Sequence, residues 1–150
     1  MKTKALVCES LTEDLSGVSL KELELPEILP QQILIKVKAA SVNFPDLLMT
    51  QGKYQHKPDL PFVLGMEGAG VVEAIGSKVS KFKEGDLVGV GCMVDSCQEC
   101  ESCKEGLEQY CENGMVGTYN GKDEHLGGHT FGGYSETVVV REKFVLKVPE

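Results

Sequence analysis

The chain has 150 residues, enough for one compact domain, and its 41% hydrophobic content can fill a core without disulfides. Its formal net charge of −8 argues against a nucleic-acid partner and against binding to an anionic membrane surface, because phosphate groups would repel it. The start of the chain turns acidic before any apolar secretion segment develops, and no long apolar run follows. We therefore expect a cytoplasmic protein with no membrane partner.

Three early segments alternate apolar and polar residues, as half-buried strands do. They are Lys2 to Cys8, Val18 to Leu25 and Ile33 to Ala40. We expect the first and third to pair in one sheet. Pro26 ends the second strand, because proline cannot donate to a strand ladder.

A short helix is predicted over Asn43 to Gly52, with Asp46 as its cap and Gly52 at its end. An extended stretch then leads to Phe62–Leu64, since the prolines before it restrict their neighbours to extended conformations.

The most regular part of the sequence predicts strands at Gly68 to Ile75 and Asp86 to Val90, separated by two glycine-marked turns. Two further strands are predicted in the final segment GGYSETVVVREKFVLKVPE. Short strands spaced about 8–12 residues apart are typical of an all-β barrel or sandwich.

Four of the six cysteines fall within fifteen residues, with the spacing C-x2-C-x2-C-x7-C. This spacing can place four thiolates around one tetrahedral ion and leaves no open position for water, which predicts a structural zinc site. The ligands would be Cys97, Cys100, Cys103 and Cys111.

The segment around these cysteines, about residues 92–119, is poor in apolar residues, so metal binding would replace a hydrophobic core. Two disulfides are one alternative, although they belong in oxidising compartments. An iron–sulfur cluster is another, since it also accepts four cysteines.

The remaining cysteines and the histidines are assigned no chemistry. Cys8 and Cys92 lie in or beside predicted strands, where an unpaired cysteine is usually a small buried hydrophobic residue. His56, His125 and His129 are interpreted as turn residues with solvated or locally hydrogen-bonded rings.

The succession of ASVNFPDLL, LPFVLGMEGAGVV, AIGSKVSKFKEGDLV, the four cysteines and GGYSETVVV resembles the N-terminal catalytic domain of medium-chain dehydrogenases/reductases. The resemblance covers nearly the whole chain. It implies a mainly β, GroES-like fold: a partly open β-barrel with short helices and an inserted structural-zinc lobe. Residues 1–150 would form this one domain.

The sequence resembles two different subgroups of that family in its two parts. Up to about Val88 it is similar to the zinc-independent quinone oxidoreductases, and from about Gly89 to the cinnamyl-alcohol-type zinc alcohol dehydrogenases. Quinone reductases of this family generally lack the cysteine lobe. We therefore consider a divergent natural member or an engineered chimera of two family halves.

The resemblance also implies where a catalytic metal would bind, and here the sequence departs from the zinc enzymes. Asn43 and Met66 stand where those enzymes have a cysteine and a histidine. An amide and a thioether do not replace thiolate and imidazole for Zn²⁺, and Glu67 alone would not hold it. We expect one zinc per chain, in the lobe only.

The family's nicotinamide cofactor binds a following Rossmann domain, whose fingerprint is missing from this sequence. The resemblance then implies the substrate domain of an NAD(P)H-dependent quinone or enal reductase, with Asn43 orienting a carbonyl near the nicotinamide. NAD(P)H would bind only after joining to a Rossmann domain, so the isolated chain is expected to be inactive. The alternative is a stand-alone or designed zinc-stabilised module without catalysis.

Overall fold

A computed structural model describes residues 1–55, 57–123 and 128–149 of the chain. The described residues form a mainly β structure, as predicted, with two short α-helices. The longest of these helices has seven residues, and within the described ranges no helix is long and apolar enough to cross a bilayer.

The strands are short and antiparallel, and they form two main sheets and two small ribbons. In chain order the elements are β1 (Lys2–Cys8), β2 (Val18–Glu24), β3 (Gln32–Ala40), α1 (Phe44–Thr50), β4 (Phe62–Val63), β5 (Gly68–Ile75), β6 (Leu87–Val90), β7 (Met93–Asp95), α2 (Glu101–Lys104), β8 (Val116–Gly117), β9 (Lys122–Asp123), β10 (Gly128–His129), β11 (Thr137–Arg141) and β12 (Val145–Lys147). Single 3₁₀ turns lie at Glu108–Tyr110 and Glu142–Phe144.

The larger sheet has the strand order β11-β3-β5-β6-β12. Its inward residues form the main core, because the two-residue alternation of each strand sends every second side chain to the same face. Ile33, Val72, Val88 and Val145 are at most 1% exposed in this core. Register shifts between β3 and β5 mark irregularities that bend the sheet.

The expected pairing of the first and third segments is wrong. β1 pairs with β2 and β4 in a separate three-stranded sheet, whereas β3 pairs with β5 and β11. Alternation identifies a strand but not its partner, since both strands bury one face and either arrangement satisfies that requirement. An isolated β-bridge between Ala5 and Ser135 joins the two sheets, and the Thr137 backbone N–H donates to Thr3 Oγ1 at 3.1 Å beside it.

Helix α1 begins one turn earlier than its predicted cap. Asn43 is the N-cap residue in extended conformation, and Asp46 occupies the third helical position. The Asp46 carboxylate accepts from the Asn43 backbone N–H at 2.9 Å, which is half of a capping box. Gly52 follows the last turn with a φ of +65°, which confirms it at the helix end.

Candidate metal centre and the Asn43 cluster

The four clustered cysteines come from four successive pieces of the lobe. Cys97 follows β7, Cys100 caps α2, Cys103 lies within α2, and Cys111 follows the 3₁₀ turn. Their four sulfur atoms all lie within 4.8 Å of one another. Among the described residues this is the one group of three or more His, Cys, Asp or Glu side chains close enough to share an ion.

The geometry of the thiols fits a tetrahedral zinc ion. With Zn–S bonds of about 2.3 Å, sulfur atoms at the corners of a tetrahedron stand about 3.8 Å apart. The Cys97 and Cys103 sulfurs are 3.9 Å apart, close to that spacing and well beyond the S–S bond length of a disulfide, about 2.05 Å. All six cysteines of the chain are free thiols.

The local backbone favours the charged form of one ligand. The backbone N–H groups of Glu99 and Cys100 point at the Cys97 sulfur, with the Cys100 nitrogen 3.4 Å away. These N–H groups lower the pKa of the Cys97 thiol to about 6. Thiolate is the form of cysteine that binds metal, so the loop presents Cys97 ready for an ion.

Two ion pairs attach the lobe to the barrel. Arg141, at the end of β11, places its Nε 2.8 Å from the Asp95 carboxylate, which is 2% exposed. Lys143, in the following 3₁₀ turn, pairs with Glu108. The lobe therefore packs on the barrel through charged groups as well as through Val94, which joins the main core.

A second polar cluster lies at the start of α1. It includes Asn43, which the sequence analysis named as a candidate for orienting a carbonyl. The Asn43 amide nitrogen donates to Ser41 Oγ at 2.7 Å and to Glu67 Oε1 at 3.1 Å. The Ser41 hydroxyl also donates to Glu67 Oε1, at 2.7 Å. These hydrogen bonds, from Ser41 first and Asn43 second, hold the pKa of the Glu67 carboxyl below its usual range.

Asp46 fixes the segments that carry this cluster. Its buried carboxylate accepts from the backbone N–H of Gly65 at 3.1 Å, from that of Asn43, and from the hydroxyl of Tyr134 at 3.1 Å. The Tyr134 oxygen also lies 3.0 Å from the Ser41 carbonyl. Three separate chain segments are thus held around one side chain, for which sequence reasoning gave only a helix-capping role.

Two glycines allow the segments to approach each other. A Cβ on Gly132 would lie 2.1 Å from the Leu64 carbonyl oxygen, and one on Gly65 would lie 2.6 Å from the Tyr134 backbone nitrogen. Gly65 also has a φ of +98°, which side chains rarely tolerate. Both positions require glycine for these segments to pack this closely.

The side chains around Asn43 do not fit a catalytic zinc ion. The nearby donor types are the Asn43 amide, the Met66 thioether and the Glu67 carboxylate, and the Glu67 and Asn43 groups are hydrogen-bonded to each other. Zinc prefers thiolate and imidazole. The GMEGAG turn does not fit a dinucleotide phosphate either, because it leads into β5 and not into a helix.

The predictions for the other cysteines and for the histidines have different outcomes. Cys8 is fully buried as predicted, and burial raises the pKa of its thiol. Cys92 is exposed, so the prediction of a buried residue is wrong; it lies in the short link between β6 and β7. His129 is exposed in β10, with Nε2 3.2 Å from Asp59 Oδ2, which is a distant partner and not a local one. His56 and His125 lie outside the described residues.

Residues 29–150 match the family described as the alcohol dehydrogenase GroES-like domain. The chain belongs to this family. This confirms the GroES-like fold and the family membership expected from the sequence resemblance.

Relatives of this GroES-like domain carry oxidoreductase names. The "NADP-dependent alcohol dehydrogenase C" of Mycobacterium bovis is 48% identical over 123 residues, which is 81% of this chain and 34% of the relative. "Aldehyde reductase YahK" of Escherichia coli is 40% identical over 148 residues, 99% of this chain and 41% of the relative. The chain thus spans about a third to two fifths of these relatives.

A solved structure agrees with these relatives. A cinnamyl alcohol dehydrogenase from Sorghum bicolor superposes with a TM-score of 0.89 and 36% identity, covering all of this chain and 41% of that one. The hypothesis of a chimera is not confirmed, since YahK aligns with 148 residues, on both sides of the supposed junction.

Proposed function

We propose that residues 1–150 form the substrate-side domain of an NAD(P)H-dependent oxidoreductase that reduces quinones or enals without a catalytic metal. The observation that carries this proposal is the hydrogen-bonded cluster of Ser41, Asn43 and Glu67. It occupies the start of α1 with groups that suit a polar organic substrate and do not suit zinc.

The role of Asn43 in this proposal is to hold the substrate carbonyl. Both amide N–H bonds are used within the cluster, and the bond to Glu67 is the longer one. An incoming carbonyl oxygen would take over that N–H from Glu67. Hydrogen bonds aimed at a developing oxyanion lower the barrier to its formation, and the amide would stabilise negative charge on the oxygen during reduction.

NAD(P)H would supply the hydride when bound, but the described residues offer it no phosphate site. The names of several relatives mention NADP, and this chain spans only part of their length. We assign cofactor binding to a Rossmann domain that lies in the remaining part of the full-length protein. In this proposal the Rossmann domain is the partner that residues 1–150 need in order to receive hydride from NAD(P)H.

The four-cysteine lobe has a structural role in this proposal. Cys97, Cys100, Cys103 and Cys111 would hold one zinc ion, and four thiolates fill its coordination shell, so the ion would stabilise the lobe without touching substrate. Free thiols of this kind persist in reducing compartments, which supports a cytoplasmic location.

The test is reduction of a quinone and an enal by NADPH in the full-length protein, with Asn43→Ala compared with Asn113→Ala. Asn113 is exposed in the lobe and serves as the matched control. We expect kcat/KM to fall about 10²–10³-fold for Asn43→Ala, as for loss of one oxyanion donor, and to stay unchanged for Asn113→Ala. Unchanged activity in Asn43→Ala would overturn the role of this residue. Loss of turnover on removal of a second zinc ion would overturn metal-free catalysis.

The second candidate function is a non-catalytic zinc-stabilised module. It is favoured by the core of the larger sheet, which the described residues supply by themselves. Calorimetric titration of the isolated chain with NADPH, with a quinone assay beside it, should show neither binding nor turnover under either function. The two candidates then separate in the full-length protein, where only the oxidoreductase turns over.

A further inference from the structure

A hydroxyl group lies against one of the four clustered sulfur atoms. Ser96 Oγ is 3.2 Å from Cys103 Sγ. Both residues are buried, at 1% and 2% exposure, so water does not compete for this contact. None of the sequence motifs singled out Ser96.

The direction of this hydrogen bond follows from the third partner. The Gln98 side-chain amide nitrogen lies 2.5 Å from Ser96 Oγ. An amide nitrogen only donates, so Ser96 Oγ accepts from Gln98, and its own proton is left for the sulfur. A metal-bound thiolate has no proton to give, which fixes the same direction from the other end.

The backbone at Gln98 gives a second observation. Gln98 has a φ of +63°, in the left-handed region that glycine adopts easily and other residues rarely adopt. It follows Cys97 directly, in the turn that brings Cys97 and Cys100 together. A glutamine in this position carries a backbone penalty that glycine would avoid, and its amide is the group that reaches Ser96.

We infer that Ser96 and Gln98 are positioning residues of the metal centre: Gln98 orients the Ser96 hydroxyl, and Ser96 donates a hydrogen bond to the Cys103 thiolate. This inference rests on the proposed structural metal site. The hydrogen bond spreads negative charge away from a crowded group of four thiolates and fixes the Cys103 side chain. Mutation of residues that hydrogen-bond to metal ligands commonly lowers metal affinity about 10–100-fold.

The experiment uses the chain loaded with Co²⁺ in place of zinc, because sulfur-to-cobalt charge-transfer bands report directly on the thiolates. Two variants test the hydrogen bonds from Gln98 to Ser96 and from Ser96 to Cys103. Ser96→Ala removes the donor, and Gln98→Glu replaces an amide donor with a carboxylate that turns the Ser96 proton away from sulfur. The matched controls are Ser102→Ala in α2 and Gln109→Glu in the 3₁₀ turn, which make the same chemical changes elsewhere in the lobe.

We expect both test variants to shift the charge-transfer band and to release Co²⁺ to a chelator about tenfold faster or more, while both controls behave as wild type. Ser96→Thr keeps a hydroxyl at this position. A band and a release rate closer to wild type in this variant than in Ser96→Ala would support the inference further. A wild-type band and release rate in Ser96→Ala and Gln98→Glu would overturn this inference and leave the metal site standing. A wild-type chain that binds no Co²⁺ or zinc would overturn both.

Discussion

The barrel and the cysteine lobe are built on opposite principles. Outside residues 92–119 most of the described buried residues are apolar, and the five-stranded sheet packs on a large apolar cluster that includes Ile33, Val72 and Val145. Between residues 92 and 119 the buried residues are mostly polar: Asp95, Ser96, Glu108 and Thr118, with Val94 and Cys103 as the apolar exceptions. Apolar burial stabilises without a specific partner, whereas each buried polar group needs one.

This contrast explains why a metal ion would stabilise the lobe, whereas the barrel has an apolar core of its own. Hydrogen bonds and ion pairs among buried polar groups contribute little net stability, since they replace bonds to water. They do fix geometry, and in the lobe they orient the cysteine-bearing turns. An ion bound by four thiolates would then provide the stability that an apolar core provides elsewhere.

The largest effect should come from removing a metal ligand. We predict that Cys97→Ser abolishes zinc binding and disorders the lobe while the barrel stays folded, because structural zinc contributes on the order of 10 kcal/mol to small metal domains. Metal analysis should find about one zinc per wild-type chain. Amide hydrogen exchange should accelerate in residues 92–119 and stay slow in β3 and β5.

The control for this change is Cys92→Ser, since Cys92 is exposed and outside the group of four. It should retain the ion and the protected amides. A folded wild-type chain without any metal, or a Cys97→Ser variant with full zinc content, would contradict the prediction.

The sequence predicted the barrel strands well because their alternation has one physical cause, a buried face on each strand. β1 and β5 have the predicted bounds. The pairing of β1 was mispredicted because partner choice depends on chain connections and on bends in the sheet, and neither leaves a mark in a short window of sequence.

The four clustered cysteines were also predicted from spacing alone, and their sulfurs do come together. The residues that surround the two sites were missed, because their contacts join distant parts of the chain. Tyr134 reaches Asp46 across 88 positions, and Arg141 reaches Asp95. Two local signals of the helix start were available: the spacing from Asn43 to Asp46, which is typical of a capping box, and Pro45 in the first turn.

The contact between barrel and lobe should show the next largest effect. We predict that Arg141→Met destabilises the chain by about 3–5 kcal/mol, because it leaves the Asp95 carboxylate buried without its partner. Replacing both residues, Arg141→Met with Asp95→Leu, should cost less than Arg141→Met alone. Denaturant unfolding measures both; a double variant less stable than the single one would show that the ion pair itself stabilises the contact.

The barrel core should respond to cavity formation without any change in the lobe. Ile33 is fully buried and pairs in register with Ile75, which is 37% exposed. We predict a loss of about 2–5 kcal/mol for Ile33→Ala and of at most about 0.5 kcal/mol for Ile75→Ala. Zinc content should be equal in both, and loss of zinc in Ile33→Ala would show that the two regions are not independent.

The smallest effect concerns the polar cluster of the barrel, where a single carboxylate is surrounded by donors. Burial, and then the charge of Asp46, raise the pKa of Tyr134 to about 12 from its ordinary value of 10. A raised pKa means that folding favours the neutral phenol. The contribution of Tyr134 to stability is therefore complete below about pH 10 and is lost as the pH rises towards 12.

Absorbance at 295 nm, where tyrosinate absorbs, should show one ionisation near pH 12 that is missing in Tyr134→Phe. The assignment needs this variant, because burial also raises the pKa of Tyr119. Asp46→Asn removes a negative charge beside the phenol and should move the Tyr134 step to lower pH. If the ionisation that Tyr134→Phe removes lies near pH 10 instead, the Tyr134 hydroxyl does not bind Asp46 as described, and the segments around Asn43 would lack this contact.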